Sequence, residues 1–173
     1  MDGREFRELL THMEWADAQT WRAIRDLPAA QTDDRLRWLL HHLHTVHWVY
    51  LQAWRGDPFS FTDVKTFPDL AAVAAWAMPY YPLVRGYAAT VDDDRLSRPI
   101  EFPWAAMIEE RYGTVAPATL AESAWQVISH TTYHRGQIAT RIRELGGEPP
   151  LVDFIVWVWK RKPAPDWAAE SAD

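Results

Sequence analysis

The sequence predicts an all-α fold, a four-helix bundle in which one long crossover joins the third and fourth helices. Four long segments carry apolar residues at intervals of three and four, the spacing of a helix with one buried face. Pro28, Gly56 and Gly146 follow three of these segments and mark helix ends. Residues 92–116 separate the last two segments, which is too long for a tight turn. Four long helices with one crossover indicate a bundle, whose core is a usual place for a metal site.

The chain is long enough for one domain with a full hydrophobic core, since it has 173 residues. We predict that residues 1–160 form this domain and that residues 161–173 form a polar tail. Apolar residues make up 48% of the chain and charged residues 24%, an ordinary balance for a globular protein. Eleven tryptophans are unusual, and a ring-rich core, or a pocket or interface lined by tryptophan, accounts for them.

Composition excludes several classes of function. The chain has no cysteine, which excludes disulfides, zinc fingers, iron–sulfur clusters and thiol nucleophiles, so any metal must be held by nitrogen and oxygen ligands. The net charge of −6, without a Lys/Arg cluster, argues against nucleic acid as a partner. No apolar run approaches the roughly 18–20 residues of a membrane span, and the N-terminus lacks a basic-then-apolar signal pattern. We therefore expect a bacterial, cytoplasmic protein with no membrane partner.

The first two helices have clear limits. The apolar spacing predicts the first helix over residues 2–27. His12 falls beside its buried stripe, and we expect it to be partly exposed or at the edge of the core. Two acids, Asp33 and Asp34, begin the second helix at the positive end of its dipole, and the helix runs to about Trp54.

The third helix and the crossover are less regular. Residues 70–90 predict an alanine-rich helix with a kink or break at residues 78–82, because each of two prolines there removes a helix hydrogen bond. Within the crossover, residues 99–102 and 108–112 alternate weakly between apolar and polar and could pair as a short hairpin.

The fourth helix is predicted over residues 117–145. Pro117 suits its first position, and the glycine pair at 146–147 is typical of a helix C-cap. Residues 154–159 predict a short fifth element lying on the bundle, and we expect the chain from Lys160 onward to be frayed.

The chemistry concentrates on the fourth helix, where His130 and His134 are four residues apart. Residues at this spacing lie one above the other on a helix face, close enough to share a metal ion. The same face, within about 40°, carries four polar side chains. They are Ser123, Gln126, Gln137 and Arg141. A face meant only for the core would not carry them, since each needs a partner once buried, so the pattern favours a face that lines a pocket.

The second helix supplies the other imidazoles. His41 and His44 lie on a mostly polar arc, which predicts solvent or interface positions. His42 and His47 lie on two separate apolar stripes, so both are inward candidates for a third ligand, and the pattern does not choose between them. Trp48 falls on the polar arc and is a candidate for a dimer contact.

Other metal and catalytic motifs are missing from the sequence. There is no His-Glu-x-x-His zinc motif, no Glu-x-x-His pair of a di-iron bundle, no nucleophile elbow and no glycine-rich phosphate loop. What survives is a mononuclear site with three neutral imidazoles. Three protein ligands leave a coordination position open, which is typical of a catalytic site, and imidazoles suit zinc, nickel, iron or copper. Such an ion could lower the pKa of a bound water or thiol.

Several stretches resemble the DinB-like family of damage-inducible bacterial proteins. The resemblance covers most of the chain and is strongest over residues 129–153, which read Ser-His-Thr-Thr-Tyr-His-Arg-Gly-Gln-Ile and then Leu-Gly-Gly-Glu-Pro-Pro, with Asp153. Residues 15–17, Trp-Ala-Asp, resemble the family's Trp-Ala-Asn on the first helix. Residues 39–42, followed by Tyr50-Leu51 and Gly56, resemble its second-helix motif.

The resemblance implies a bundle with one crossover, often a homodimer, that holds a divalent metal, commonly nickel or zinc. Matching the spacing to Tyr50 carries the second-helix ligand onto His42, so the implied ligands are His42, His130 and His134. The family is related to metal-dependent S-transferases that use low-molecular-weight thiols such as bacillithiol, mycothiol or glutathione. Asp17 stands where the family frequently has Asn, which places an extra carboxylate near the core.

Two hypotheses of different classes follow. In the first, the protein is a metal-dependent thiol S-transferase or hydrolase that acts on a small electrophile, with Gln137 or Arg141 orienting the substrate because both share the ligand face. In the second, it is a non-catalytic metal-binding stress or scaffold protein. A pocket that reaches the open coordination position favours the enzyme, and a sealed metal favours the structural role.

Overall fold

The computed structural model describes residues 1–167, which are mostly helical, so the predicted all-α class is confirmed. The helices are α1 (Gly3–Arg25), α2 (Asp34–Arg55), α3 (Leu70–Ala77), α4 (Tyr80–Thr90), α5 (Asp93–Ser97), α6 (Ala105–Tyr112), α7 (Leu120–Glu144) and α8 (Phe154–Trp159). Single turns of 3₁₀ helix occur at Pro28–Ala30 and Val64–Thr66. Two short strands, β1 (Pro99–Ile100) and β2 (Ala118–Thr119), pair antiparallel. No helix within residues 1–167 is both long and apolar enough to cross a bilayer.

Local capping explains where α1 and α2 begin and end, close to the predicted limits. Asp2 accepts a hydrogen bond from the backbone N–H of Glu5, and Glu5 bonds back to the N–H of Asp2, which forms a capping box. Asp33 caps α2 through the N–H of Leu36. Gly56 ends α2 with φ of 70°, a left-handed conformation that glycine adopts without the penalty of a Cβ.

The predicted break in the third helical region is confirmed. Helix α3 ends at Ala77 and α4 begins at Tyr80, with Met78 and Pro79 between them. Pro82 lies in the first turn of α4, where a missing N–H removes no helix hydrogen bond.

The predicted hairpin in the crossover is wrong. Residues 108–112 belong to helix α6, and the partner of β1 is β2, which directly precedes α7. None of the residues of α6 is buried. The weak alternation of apolar and polar residues at 108–112 therefore does not mark the buried face of a strand. Helix α5, capped by Asp92 through the N–H of Arg95, was not predicted.

The start of α7 also differs from the prediction. Thr119 is its N-cap and forms a capping box with Glu122, so the helix begins three residues after Pro117. Helix α8 spans the predicted residues 154–159.

The chain after Lys160 contacts α1 as far as it is described, which differs from the expected fraying. Lys162 pairs with Glu8, the Asp166 carboxylate accepts from Arg22 at 2.5 Å, and Trp167 Nε1 donates to Glu14 at 3.0 Å. Residues 168–173 of the predicted tail lie outside the described part of the chain.

The long helices bury their apolar faces against one another. Helix α2 packs against α7, α3 and α4, and α1 packs against α7 and α4. Four tryptophans are buried in this interior, namely Trp15, Trp21, Trp54 and Trp157. They bear out the prediction of a ring-rich core. Trp48, the candidate dimer contact, is half-buried and packs against Trp76 and Tyr80 of α3 and α4.

We predict that Gly147→Ala destabilises the protein by about 1–2 kcal/mol, because the new methyl group overpacks the end of α7. A Cβ at residue 147 would lie 2.8 Å from Leu27 Cδ2 and 3.0 Å from Ile142 Cγ2. Gly86→Ala is the matched control, since a Cβ there meets nothing within 4 Å. Urea unfolding of both variants measures the effect, and equal stabilities would contradict the predicted close approach.

Candidate metal centre

Three histidines from α2 and α7 converge at one point. One ring nitrogen from each of His42, His130 and His134 lies within 4.8 Å of the other two. The ring centroids are 5.1 Å apart for His42 and His130, 4.6 Å for His42 and His134, and 4.3 Å for His130 and His134. Zinc–nitrogen bonds of about 2.0–2.1 Å place tetrahedral ligands roughly 3.4 Å apart, so small ring rotations bring the three nitrogens to coordination distance. The cluster could therefore hold a metal ion.

Polar contacts along α2 and α7 set the position of this cluster. Near one end, Asp33 accepts from Arg141 at 2.5 Å, and near the other, Trp54 Nε1 donates to Ser123 at 2.8 Å. Between them, the buried ring of His47 on α2 contacts Thr131 on α7. These hydrogen bonds fix the position of α2 along the axis of α7, so that residue 42 of α2 faces residues 130 and 134 of α7.

The central contact joins His47 and Thr131. Thr131 Oγ1 donates to Val127 O at 2.7 Å, so its oxygen accepts from His47 Nε2–H, also at 2.7 Å. Both side chains are fully buried. His47, the second inward candidate on α2, thus joins the two helices in the core and is not part of the three-histidine cluster.

Groups around the cluster orient its rings. His134 Nδ1 donates to Gln137 Oε1 at 2.8 Å, which leaves Nε2 of that ring with a lone pair for a metal. Trp38 stacks on His42 with ring planes 3° apart and centroids 5.2 Å apart. Tyr133 lies edge-on to His134 at 5.0 Å. A hydrogen bond to one ligand and ring packing on two limit the rotation of the imidazoles.

Burial keeps His42 and His130 neutral, which is the state in which an imidazole binds a metal. Desolvation lowers the pKa of His130 to about 4, and the neighbouring His134 and His42 add to the effect. The pKa of His42 is lowered by desolvation and then by His134 and His41. His130 Nδ1 is buried without a hydrogen-bond partner among residues 1–167. Neutral donors and an unsatisfied nitrogen fit a divalent cation.

The prediction that His41 and His44 occupy solvent or interface positions is wrong, because both are buried within the chain. His44 is fully buried and accepts from Trp21 Nε1 at 3.0 Å, and His41 donates to Thr62 O at 2.7 Å while stacking on Trp76. The arc looked polar because it also carries Arg37, Thr45, Gln52 and Arg55. Helix α1 and the loop after α2 cover it in the folded chain.

His12 is also buried, at the edge of the core, where its Nε2–H donates to Val152 O at 2.9 Å. Desolvation lowers its pKa, an effect that the Val152 carbonyl opposes.

The polar residues predicted to share the ligand face have different partners. Ser123 bonds to Trp54 and Gln137 bonds to His134, whereas Gln126 is exposed. Arg141 pairs with Asp33 and with Glu144 at 2.8 Å. On this face of α7, Ser123 and Arg141 therefore contact α2, whereas Gln137 orients the ring of His134.

Sequence reasoning missed a buried network beside the cluster. Arg135 donates to Asp17 at 3.0 Å, and the hydroxyl of Tyr81 donates to the same carboxylate at 2.9 Å. Burial raises the pKa of Asp17, and Arg135 opposes this effect. An extra carboxylate near the core was predicted at residue 17. The pairing of this carboxylate with Arg135 could not be predicted from the sequence, because it joins α1 to α7, which are far apart in the chain.

The comparison with protein families agrees with this geometry. The model of the DinB family matches residues 1–164, which is nearly the whole chain. No curated protein matches the chain.

We predict that Gln137→Leu weakens metal affinity about 10- to 100-fold, because His134 loses the acceptor that fixes its tautomer and orientation. Gln126→Leu is the control, since that glutamine is exposed on the same helix face. Competition with a chromophoric chelator measures both affinities. Equal affinities for the two variants would show that Gln137 does not support the centre.

We also predict that the metal-free protein loses stability as pH falls from 6.5 towards 3. Burial lowers the pKa of His44 from 6.5 to about 3. Below pH 6.5 the unfolded chain therefore binds a proton that the folded protein excludes, and the free energy of unfolding falls by up to about 1.4 kcal/mol per pH unit. Urea unfolding across this window should show a shallower slope for His44→Gln, and an unchanged slope would count against the assignment.

Proposed function

Since the chain belongs to the DinB family, we propose that it is a divalent-metal-dependent enzyme that transfers a low-molecular-weight thiol to a small electrophile. Hydrolysis by a bound water is the related reaction at the same centre. The observation that carries the proposal is the convergence of three imidazoles within 4.8 Å, two of them only half-buried. Ligands that are partly exposed suit a site with an open coordination position better than a sealed structural ion.

We assign the metal to His42, His130 and His134, with nickel or zinc as the expected ion. Nitrogen donors suit either ion, and the resemblance to the family favours both. Bound there, the ion would lower the pKa of a coordinated thiol or water, and so supply a nucleophile at neutral pH. The protein's own contribution is to hold three imidazole rings, oriented through Gln137 and Trp38, around that position.

The substrate is proposed to contact the rings that flank the cluster. Trp38 is 50% exposed beside His42, and Tyr133 is 65% exposed beside His134. Exposed aromatic faces suit the apolar part of a small electrophile. Gln137 uses its carbonyl on His134 and keeps its amide N–H groups for a guest, so it is the better candidate for orienting the substrate. Arg141 is paired with Asp33 and Glu144, and we assign it to joining α2 and α7.

We propose that α1, α2, the α3–α4 pair and α7 are the four rods of a bundle, with residues 91–119 as the crossover. The contacts of α2 with α7, α3 and α4, and of α1 with α7 and α4, support this arrangement. Residues 1–160 would then form a single cytoplasmic domain.

A homodimer is the proposed assembly, and the net charge of −6 speaks against nucleic acid as a partner. Its surface would include exposed apolar side chains of α8 and of the segment before it, namely Leu151, Ile155 and Trp159.

The test combines elemental analysis with a steady-state assay. Purified protein should contain a divalent metal and should conjugate at least one of glutathione, bacillithiol or mycothiol to an activated aryl halide. His130→Gln should lose most bound metal and at least tenfold in rate, because a ligand is removed. His41→Gln is the matched control, since His41 is the buried neighbour of a ligand and lies outside the cluster.

A protein with full metal occupancy but no turnover across the thiols and electrophiles would overturn the enzyme and favour the non-catalytic role. Unchanged metal content in His130→Gln would overturn the centre itself.

A further inference from the structure

A second cavity lies on the opposite side of α7 from the three histidines. Its volume is about 480 Å³, it is partly open to solvent, and it is lined by α1, α7 and residues 149–154. The α7 residues that line it stand about 120–240° around the helix from His130. Most of its wall is apolar and includes Leu9, Ile128, Ala139, Pro149, Val152 and Phe154. A volume of this size suits a small molecule.

One end of the cavity is polar, because His12 and Arg135 line it. His12 is 7% exposed and Arg135 is 6% exposed, so both are nine-tenths buried. The Nε2–H of His12 donates to Val152 O, and a neutral ring with that tautomer keeps Nδ1 as an acceptor. Burial and the charge of Arg135 both lower the pKa of His12, which maintains the neutral ring.

Arg135 retains hydrogen-bond donors beyond its protein contacts. Its Nη1 donates to Asp17 Oδ1 at 3.0 Å and to Met13 O at 3.5 Å, and its Nη2 donates to Thr132 Oγ1 at 3.4 Å. Arginine has five N–H groups, so these contacts within the described chain leave donors for a ligand. Asp17 offsets the charge of the guanidinium. The polar end thus offers a donor and an acceptor with little net charge.

Gly136 forms part of the cavity wall. A glycine inside a helix costs about 1 kcal/mol relative to alanine. Neither its φ nor a close neighbour requires glycine, because a Cβ at this position would meet nothing within 4 Å. The missing side chain therefore leaves space in the cavity.

We propose that this cavity binds an uncharged small molecule with an aryl or alkyl body and a carboxamide head group. The amide carbonyl accepts from Arg135, and the amide N–H donates to Nδ1 of His12. The apolar body lies against the wall formed by α1, α7 and residues 149–154. An anionic head group is disfavoured because Asp17 already offsets Arg135 and because the carboxylate of Asp153 also lines the cavity.

The experiment uses the full-length chain and benzamide as the probe, with acetophenone as the analogue that lacks the N–H donor. Titrations followed by ligand-observed NMR give both affinities. Benzamide should bind, and acetophenone should bind about fivefold more weakly, because one neutral hydrogen bond contributes about 1 kcal/mol.

Gly136→Leu should weaken benzamide binding at least tenfold by filling the cavity from α7. Gly86→Leu is the matched control, a helical glycine on α4 with equally open space and no place in the cavity wall, and it should bind like the wild type. Ala139→Leu fills the same cavity from the next turn and serves as a second variant if Gly136→Leu does not fold.

Any one of four results would overturn the proposal. The first three are the absence of saturable benzamide binding, equal affinities for benzamide and acetophenone, and undiminished benzamide binding in both cavity-filling variants. A fourth is a homodimer that Gly136→Leu dissociates while benzamide leaves the wild type unaffected, since the occupant would then be a second copy of the chain. The metal centre lies on the other face of α7, so none of these outcomes depends on the proposed transferase activity.

Discussion

The packing of α2 against α7 is the constraint on which the three-histidine cluster depends. A helix rises 1.5 Å per residue, so a slip of one turn would move His42 about 5.4 Å from its partners and separate the cluster. The buried hydrogen bond between His47 and Thr131 opposes such a slip, because breaking it would leave polar groups unsatisfied in the core. The contacts of Arg141 with Asp33 and of Trp54 with Ser123 act at the two ends.

The interior holds several polar and charged side chains among the apolar ones. His44 and His47 are fully buried and remain neutral, and the ion pair of Asp17 and Arg135 is buried as well. Such groups are weak sources of stability, since desolvation offsets much of the attraction between them. Their contribution is specificity, because the hydrogen bonds of His44 with Trp21, His47 with Thr131 and Arg135 with Asp17 form together only in one arrangement of α1, α2 and α7. A centre that requires three rings within a few ångströms needs that single arrangement.

Three successive residues of α7 have three different surroundings. His134 faces α2 and the other two cluster histidines, Arg135 reaches Asp17 on α1, and Gly136 lines the cavity on the far side. A helix turns by about 100° per residue, so neighbours in sequence necessarily point in different directions. The short stretch that carries the strongest family resemblance therefore combines a ligand, a contact between helices and a cavity wall.

The sequence alone determined the features that depend on residues close together in the chain. Capping acids, Gly56 and the paired prolines gave most helix limits, and the four-residue spacing of His130 and His134 placed both rings on one face. Pattern could not choose between His42 and His47, because both lie on apolar stripes of a widely buried helix. The family resemblance chose His42, and the rotation of α2 against α7 puts that ring in the cluster and His47 in the core. The burial of His41 and His44, the pairing of β1 with β2, and the contact of Arg135 with Asp17 were likewise decided by tertiary structure. Each joins segments far apart in the chain, and no local spacing encodes which distant surface will cover a given arc of a helix.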